Sequence, residues 1–242
     1  MHIKIINPNT TQSMTDKIGD CARSVAGPGT LVEAVSPQMG PASIESHYDE
    51  ALSVPGLLEE IARGEAAGVD GYVIACFGDP GLDAARELAS GPVLGIAEAA
   101  MHAASFLGRG FSVVTTLGRT RGRAWELAER YGMQRFCLGV HACEIAVLDL
   151  DRDPDAMKVI TEACRVALDR DGSDAIVLGC AGMADLCAVI SAELGVPVVD
   201  GVAAATLMVQ SLVMLGLRTG ARGEFAAPLP KKYTGLLEGF GR

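Results

Sequence analysis

Short β-branched runs alternate with longer helical stretches along the chain. Apolar runs predict strands at Ile3–Asn7, Thr30–Val35, Gly71–Cys76, Val93–Ile96, Phe111–Thr116, Leu138–Cys143, Asp174–Cys180 and Pro197–Asp200. Helical patterns fall at about 11–26, 50–68, 80–89, 97–107, 120–132, 154–170, 183–194 and 202–215. Apolar strands that alternate with helices predict an α/β fold, with parallel sheets covered on both faces.

The pattern repeats. Asp70-Gly-Tyr-Val-Ile-Ala-Cys76 matches Asp174-Ala-Ile-Val-Leu-Gly-Cys180, and each Cys is expected to end a strand and open a helix. A second strand follows in each copy, Gly91–Ile96 and Gly195–Asp200, and then an Ala-rich helix. The shift is 180 − 76 = 104 residues between the cysteines and 174 − 70 = 104 between the aspartates. That period is too long for a solenoid and has the size of a small domain. It predicts two similar α/β lobes related by a pseudo-two-fold axis, with a cleft between them. The first lobe is expected over residues 1–97, with the C-terminal segment 209–242 returning to it, and the second over 98–208.

Composition narrows the function. The 242 residues are 49% hydrophobic and 21% charged, so the chain can build a large core and is not of the disordered kind. Twenty basic residues against 30 acidic ones leave a net charge of −10, and aromatics are 5%. A nucleic acid would be repelled and would find few stacking partners, which argues against it as a partner. The apolar stretch from Val202 to Leu217 carries Gln210 and is too short to span a bilayer, so no membrane partner is expected. Met1–Ile6 runs straight into a strand pattern, without a signal-peptide layout. Seven cysteines, an odd number and none spaced C-x-x-C, point to a reducing, cytoplasmic compartment.

Nucleotide fingerprints, a G-x-S-x-G elbow and zinc-type Cys/His spacings are missing from the sequence. Cys76 and Cys180 therefore stand out. In open α/β sheets, ligands bind beyond the carboxyl ends of the strands, where both cysteines are expected. An ordinary thiol has a pKa of about 8.5. A position just before a helix is expected to lower it toward neutrality, since the free N–H groups favour a thiolate. If equivalent strand ends of two lobes meet at one cleft, the sulfurs approach a ligand from opposite sides. That arrangement suits moving a proton from one face of a carbon to the other. The remaining cysteines, Cys21, Cys137, Cys143, Cys164 and Cys187, read as small apolar side chains.

Asn7-Pro-Asn-Thr-Thr11, Ile74-Ala-Cys-Phe-Gly-Asp-Pro-Gly81, Gly95-Ile-Ala-Glu-Ala-Ala100 and Leu178-Gly-Cys-Ala-Gly-Met183 resemble the aspartate/glutamate racemase superfamily, and within it the hydantoin racemases. Gly40–Ser46 and Ser112–Leu117 extend the resemblance over nearly the whole chain. It implies cofactor-independent racemisation with the two cysteines as acid and base, and no metal. It also implies a homo-oligomer. Amino-acid racemases of the superfamily carry Asn-Thr after the first Cys and Thr-His after the second. Here Phe77-Gly78 and Ala181-Gly182 follow instead. A neutral ring with two carbonyls suits such a cleft edge better than a free amino acid, so a 5-substituted hydantoin is the expected small-molecule substrate. The backbone N–H groups after each Cys are expected to hold the ring oxygens.

Asn9 is a candidate hydrogen-bond donor or acceptor for the ring, or else a turn or capping residue. Thr115 and Thr116 hold the corresponding place in the second lobe, as ligands or as residues of a helix start. Ile44 is a candidate contact for the 5-substituent, and Phe77 is either another or a core residue. His102 reads as packed or surface, Trp125 and Tyr131 as core or interface, and Arg119–Arg123 as a solvated helix start. Lys231 and Lys232 read as surface. The rival readings are an allantoin racemase, a cofactor-free decarboxylase or cis–trans isomerase of the same superfamily, and a two-lobed binding protein without catalysis.

Overall fold

The computed structural model describes residues 1–241. Each predicted strand is present: β1 His2–Ile6, β2 Leu31–Val35, β3 Gly71–Ile74, β4 Val93–Gly95, β5 Phe111–Thr115, β6 Cys137–Ala142, β7 Ala175–Leu178 and β8 Val198–Val199. The helices are α1 Gln12–Val25, α2 His47–Ala67, α3 Leu82–Leu88, α4 Ile96–Ser105, α5 Arg121–Arg130, α6 Ala156–Asp171, α7 Cys187–Leu194 and α8 Gly201–Met214. No described helix is long and apolar enough to cross a membrane.

The strands form two four-stranded parallel sheets, ordered β2-β1-β3-β4 and β6-β5-β7-β8. The orders coincide when β1 is laid on β5, so the sequence repeat is a repeat of topology. The inner strands are almost continuously apolar because helices cover both of their faces. Ile5, Ile6, Val113 and Val114 have no exposure. Lys4 breaks the run, and its buried ammonium is held 2.9 Å from the buried Glu60 carboxylate of α2.

Local signals set the helix ends. Ser46 caps α2 by accepting from Asp49 N at 3.2 Å, and Asp49 and Glu50 sit in its first turn. The helix therefore begins three residues before its apolar periodicity suggests. Asp200 caps α8 through the N–H groups of Val202 and Ala203. The helix expected from 183 starts differently: Ala181–Leu186 is a 3-10 segment, and α7 begins only at Cys187.

The helices α2 and α3 cover the outer face of the first sheet, and α6 and α7 that of the second. Between the sheets lies a shared core containing residues of α1, α4, α5 and α8. Two of these helices are exchanged. Helix α4 follows β4 of the first sheet but packs on β5, β7 and β8 of the second. Helix α8 follows β8 of the second sheet but packs on β1, β3 and β4 of the first, and the two helices pack on each other. The expected lobe boundaries at 97 and 208 both fall inside these crossing helices. Beyond α8, the chain lies against α2 and α3, with Pro228, Leu229 and Tyr233 facing Val54, Leu58 and Leu88 across a cavity.

Candidate active site

The carboxyl ends of the inner strands open into a cleft of about 190 Å³. β3 ends at Ile74 and β7 at Leu178, two residues before each cysteine. One further ladder bond continues each strand, Ala75 N to Ile6 O and Gly179 N to Val114 O, both at 2.8 Å. Cys76 and Cys180 then begin matching turns, closed by Asp79 N to Cys76 O at 2.9 Å and Met183 N to Cys180 O at 3.1 Å. The strands thus present both half-buried thiols to one cleft, one from each sheet.

The expectation that each cysteine opens a helix fails for Cys76, and for Cys180 it holds only in that the residue caps a 3-10 segment leading into α7. Helix α3 starts six residues after Cys76, and Cys180 precedes only the short 3-10 segment. Nor do the thiols lie near neutrality. Burial pushes Cys76 up to about 12, reinforced by Cys180, Asp79 and Glu50, while the Gly78 N–H pulls the other way. Burial likewise pushes Cys180 up to about 11, with Cys143 and Glu45 adding to the rise. The Gly182 N–H and the Lys17 ammonium lower it, which makes Cys180 the more acidic thiol. The N–H groups of Gly78 and Gly182 are thus turned to the sulfurs, where they favour a thiolate. Cys21 matches the pair in exposure but donates its S–H to Asp200 at 2.8 Å, and burial beside that carboxylate pushes its pKa far up.

Of the sequence-predicted site residues, Asn9, Ile44, Cys76, Phe77, Gly78, Thr115, Thr116, Cys180 and Ala181 line the cleft together. Gly182 is not among the lining residues and instead turns its N–H to the Cys180 sulfur. Asn9 commits its oxygen to the loop by accepting from Asn7 Nδ2 and Thr11 N, both at 2.9 Å. Its amide nitrogen meets only Met14 sulfur at 3.3 Å. A nitrogen with two N–H donors so placed can donate to a ligand oxygen. Thr115 is bound to Thr120 Oγ1 and to Gly179 O, which makes it a structural member of the wall.

Several lining residues escape sequence reasoning. The segment Glu45–Ser46–His47 and Glu50 bring polar groups to the mouth from the start of α2. Glu45 also reaches across the cleft to accept from Val147 N at 2.7 Å. The reading of Arg119–Arg123 as a solvated helix start holds for the exposed Arg119 and Arg121, where α5 begins, but not for Arg123, which is partly buried in the cleft wall. Arg123 donates to Gly78 O from Nε at 3.2 Å and Nη2 at 2.9 Å, and Nη2 lies 2.6 Å from the Glu50 carboxylate. A helix of the second lobe thereby clamps the turn that carries Cys76. Burial pushes the Glu50 pKa up while Arg123 opposes the rise. The spacing of Arg123 one turn inside a helix held no hint of this partner. Outside the cleft, His102 packs on its own helix through Glu98 O, and no cluster of metal-ligating residues occurs among the described residues.

Over residues 3–209 the chain matches the family described as Asp/Glu/Hydantoin racemase. It is 49% identical over 243 residues to a hydantoin racemase of Pseudomonas sp. (strain NS671), covering 100% of this chain and 98% of the relative. An allantoin racemase structure from Klebsiella pneumoniae superposes with a TM-score of 0.97 at 51% identity, covering 100% of this chain and 99% of that one. The allantoin racemase structure from Pseudomonas fluorescens gives 0.91 at 38% identity, covering 97% and 100%. With the family match spanning both sheets and both cysteine turns, the chain belongs to the Asp/Glu/Hydantoin racemase family and is a racemase.

Proposed function

We propose that the enzyme interconverts the enantiomers of 5-monosubstituted hydantoins without a cofactor, using Cys76 and Cys180 as opposed base and acid. The observation that carries this reading is the pair of half-buried thiols brought to one cleft by equivalent turns of two repeated sheets. One sulfur, as thiolate, takes the C5 proton and leaves an enolate delocalised into the C4 carbonyl. The other, as thiol, delivers a proton to the opposite face and becomes the thiolate. The roles reverse for the other enantiomer, so charge and protons balance over a turnover. The N–H groups of Phe77 and Ala181 find no acceptor among the described residues, and they suit the ring oxygens where enolate charge develops. The Asn9 amide suits a third carbonyl contact. Seven free thiols suit a reducing cytoplasm. Exposed Phe106, Met214 and Leu215 suit an assembly of identical chains.

The two-base scheme is tested by hydrogen exchange in deuterated water. Cys76→Ser and Cys180→Ser should each stop racemisation. Each variant should still exchange the C5 hydrogen with retention, for opposite enantiomers, above the spontaneous rate. Exchange of the same enantiomer by both, or racemisation by either at the wild-type rate, would sink the scheme. A second reading is allantoin racemisation. It is favoured by the polar mouth formed by Glu45, Ser46, Glu50, Arg119 and Arg123, which offers partners to a ureido substituent. Comparing kcat/KM for allantoin with that for 5-benzyl- and 5-isobutylhydantoin decides between them.

A further inference from the structure

The two cysteine turns share one backbone shape but are not fastened alike. Asp79, three residues after Cys76, closes the first turn with its N–H and stands at φ 45°. An L-residue holds that conformation only where its surroundings enforce it. Here they do. Asp79 is 2% exposed, and its carboxylate accepts from Ala97 N at 3.0 Å, Glu98 N at 2.9 Å and Tyr131 OH at 2.6 Å. Room for the carboxylate comes from Gly95, where a Cβ would stand 2.1 Å from the Asp79 Cγ. Ala97 and Glu98 begin α4, which packs on the second sheet, and Tyr131 follows α5. One buried carboxylate therefore ties the Cys76 turn to the start of α4, directly after β4, and to Tyr131 at the end of α5. At the equivalent position, 104 residues on, stands Met183. It closes the same turn to Cys180 with an apolar, fully buried side chain.

We propose that Asp79 is a positioning residue for Cys76 and not for Cys180: its carboxylate, held by α4 and Tyr131, fixes where the first thiol stands relative to the second and to the substrate carbon. The inference rests on the two-thiol reading above. Burial raises the Asp79 pKa to about 6 against the pull of Tyr131 and the two backbone N–H groups. Glu98, which opposes the Asp79 charge, is itself paired with Arg86 at 2.6 Å.

The test places Asp79→Ala in each single-cysteine background and follows C5 exchange in deuterated water. The ratio of exchange on the Cys76 face (in Cys180→Ser) to exchange on the Cys180 face (in Cys76→Ser) should fall at least tenfold. A misplacement of about 1 Å can cost on the order of a hundredfold in rate. Tyr131→Phe removes one of the three donors and leaves the α4 start capped, so it should lower the same ratio by about two- to threefold. It carries the test if the alanine variant does not fold. Equal slowing of both faces, or an unchanged ratio in the phenylalanine variant, would overturn the role of Asp79. If the single-cysteine variants exchange the same enantiomer while Asp79 is intact, the two-thiol reading falls first and the inference with it. That failure is visible before any change at position 79 is made.

Discussion

Arg123→Ala should damage stability and catalysis together, and the size of both effects follows from its contacts. The guanidinium gives two N–H groups to Gly78 O and pairs with Glu50, with side-chain exposures of 26% and 18% for the ion pair. A hydrogen bond from a charged donor contributes roughly 1.5–3 kcal/mol. The half-buried ion pair adds roughly 0.2–1 kcal/mol, the range of exposed pairs, since water still reaches both partners. The alanine variant also strands a half-buried Glu50 carboxylate, so the loss is about 2–4 kcal/mol in all. For a chain of this length that is a fall of roughly 4–16 °C in Tm. Gly78 belongs to the Cys76 turn, so loosening it should cut kcat/KM by roughly 10- to 100-fold. Arg123→Lys keeps the charge but not the fork, and should recover about half of the stability. The measurements are denaturant midpoints and initial racemisation rates for the three proteins. If the alanine variant unfolds at the wild-type midpoint and turns over at the wild-type rate, the clamp is a crowd of neighbours without energetic consequence and the reasoning fails.

Raised thiol pKa values predict that kcat/KM climbs with pH from 7 toward alkaline conditions, since only a thiolate takes the proton; a plateau already reached at pH 7 would contradict this. Iodoacetamide should label Cys180 ahead of Cys76, because the Lys17 ammonium favours its thiolate while Asp79 and Glu50 oppose that of Cys76. Cys21 should lag behind both despite its exposure, because Asp200 opposes its ionisation; peptide mapping by mass spectrometry reads the order, and early labelling of Cys21 would refute it. Gly95→Ala should destabilise the protein by roughly 1–3 kcal/mol, because the new methyl group must displace the buried Asp79 carboxylate; a melting curve unchanged from wild type would show that the carboxylate has room to move.

All the strands and the doubled topology are legible in the sequence, because a strand buried on both faces must be apolar along its length and the Asp-to-Cys strand recurs 104 residues on, followed in each copy by a second strand and an Ala-rich helix. The two cysteines are legible for the same reason: they occupy matching places in a repeat. What periodicity conveys is which face of a helix is apolar, not which sheet receives it, and so the destinations of α4 and α8 stay hidden. Asp79 and Arg123 are hidden differently. Each acts through a partner far away in sequence, Tyr131 at a separation of 52 and Gly78 at 45. A charged residue near a turn reads as solvated until that partner is known. The expectation of helix-activated thiols fails because burial outweighs the N–H groups at both cysteines, and at Cys76 a tight turn also separates strand from helix.

The traffic of α4 and α8 between the sheets has the form of a domain swap held within a single polypeptide. Each half of the repeat lends its last helix to the other and receives the equivalent helix in return. A half expressed alone would keep α1 or α5 on the inner face of its sheet but lack the exchanged helix, and a second copy of that half offers the missing one. The chain thus carries within it the geometry of a swapped homodimer made permanent by fusion. Within one chain the two halves need not be identical, and the turn that carries an acidic anchor at Asp79 carries a buried methionine at Met183 in the other half.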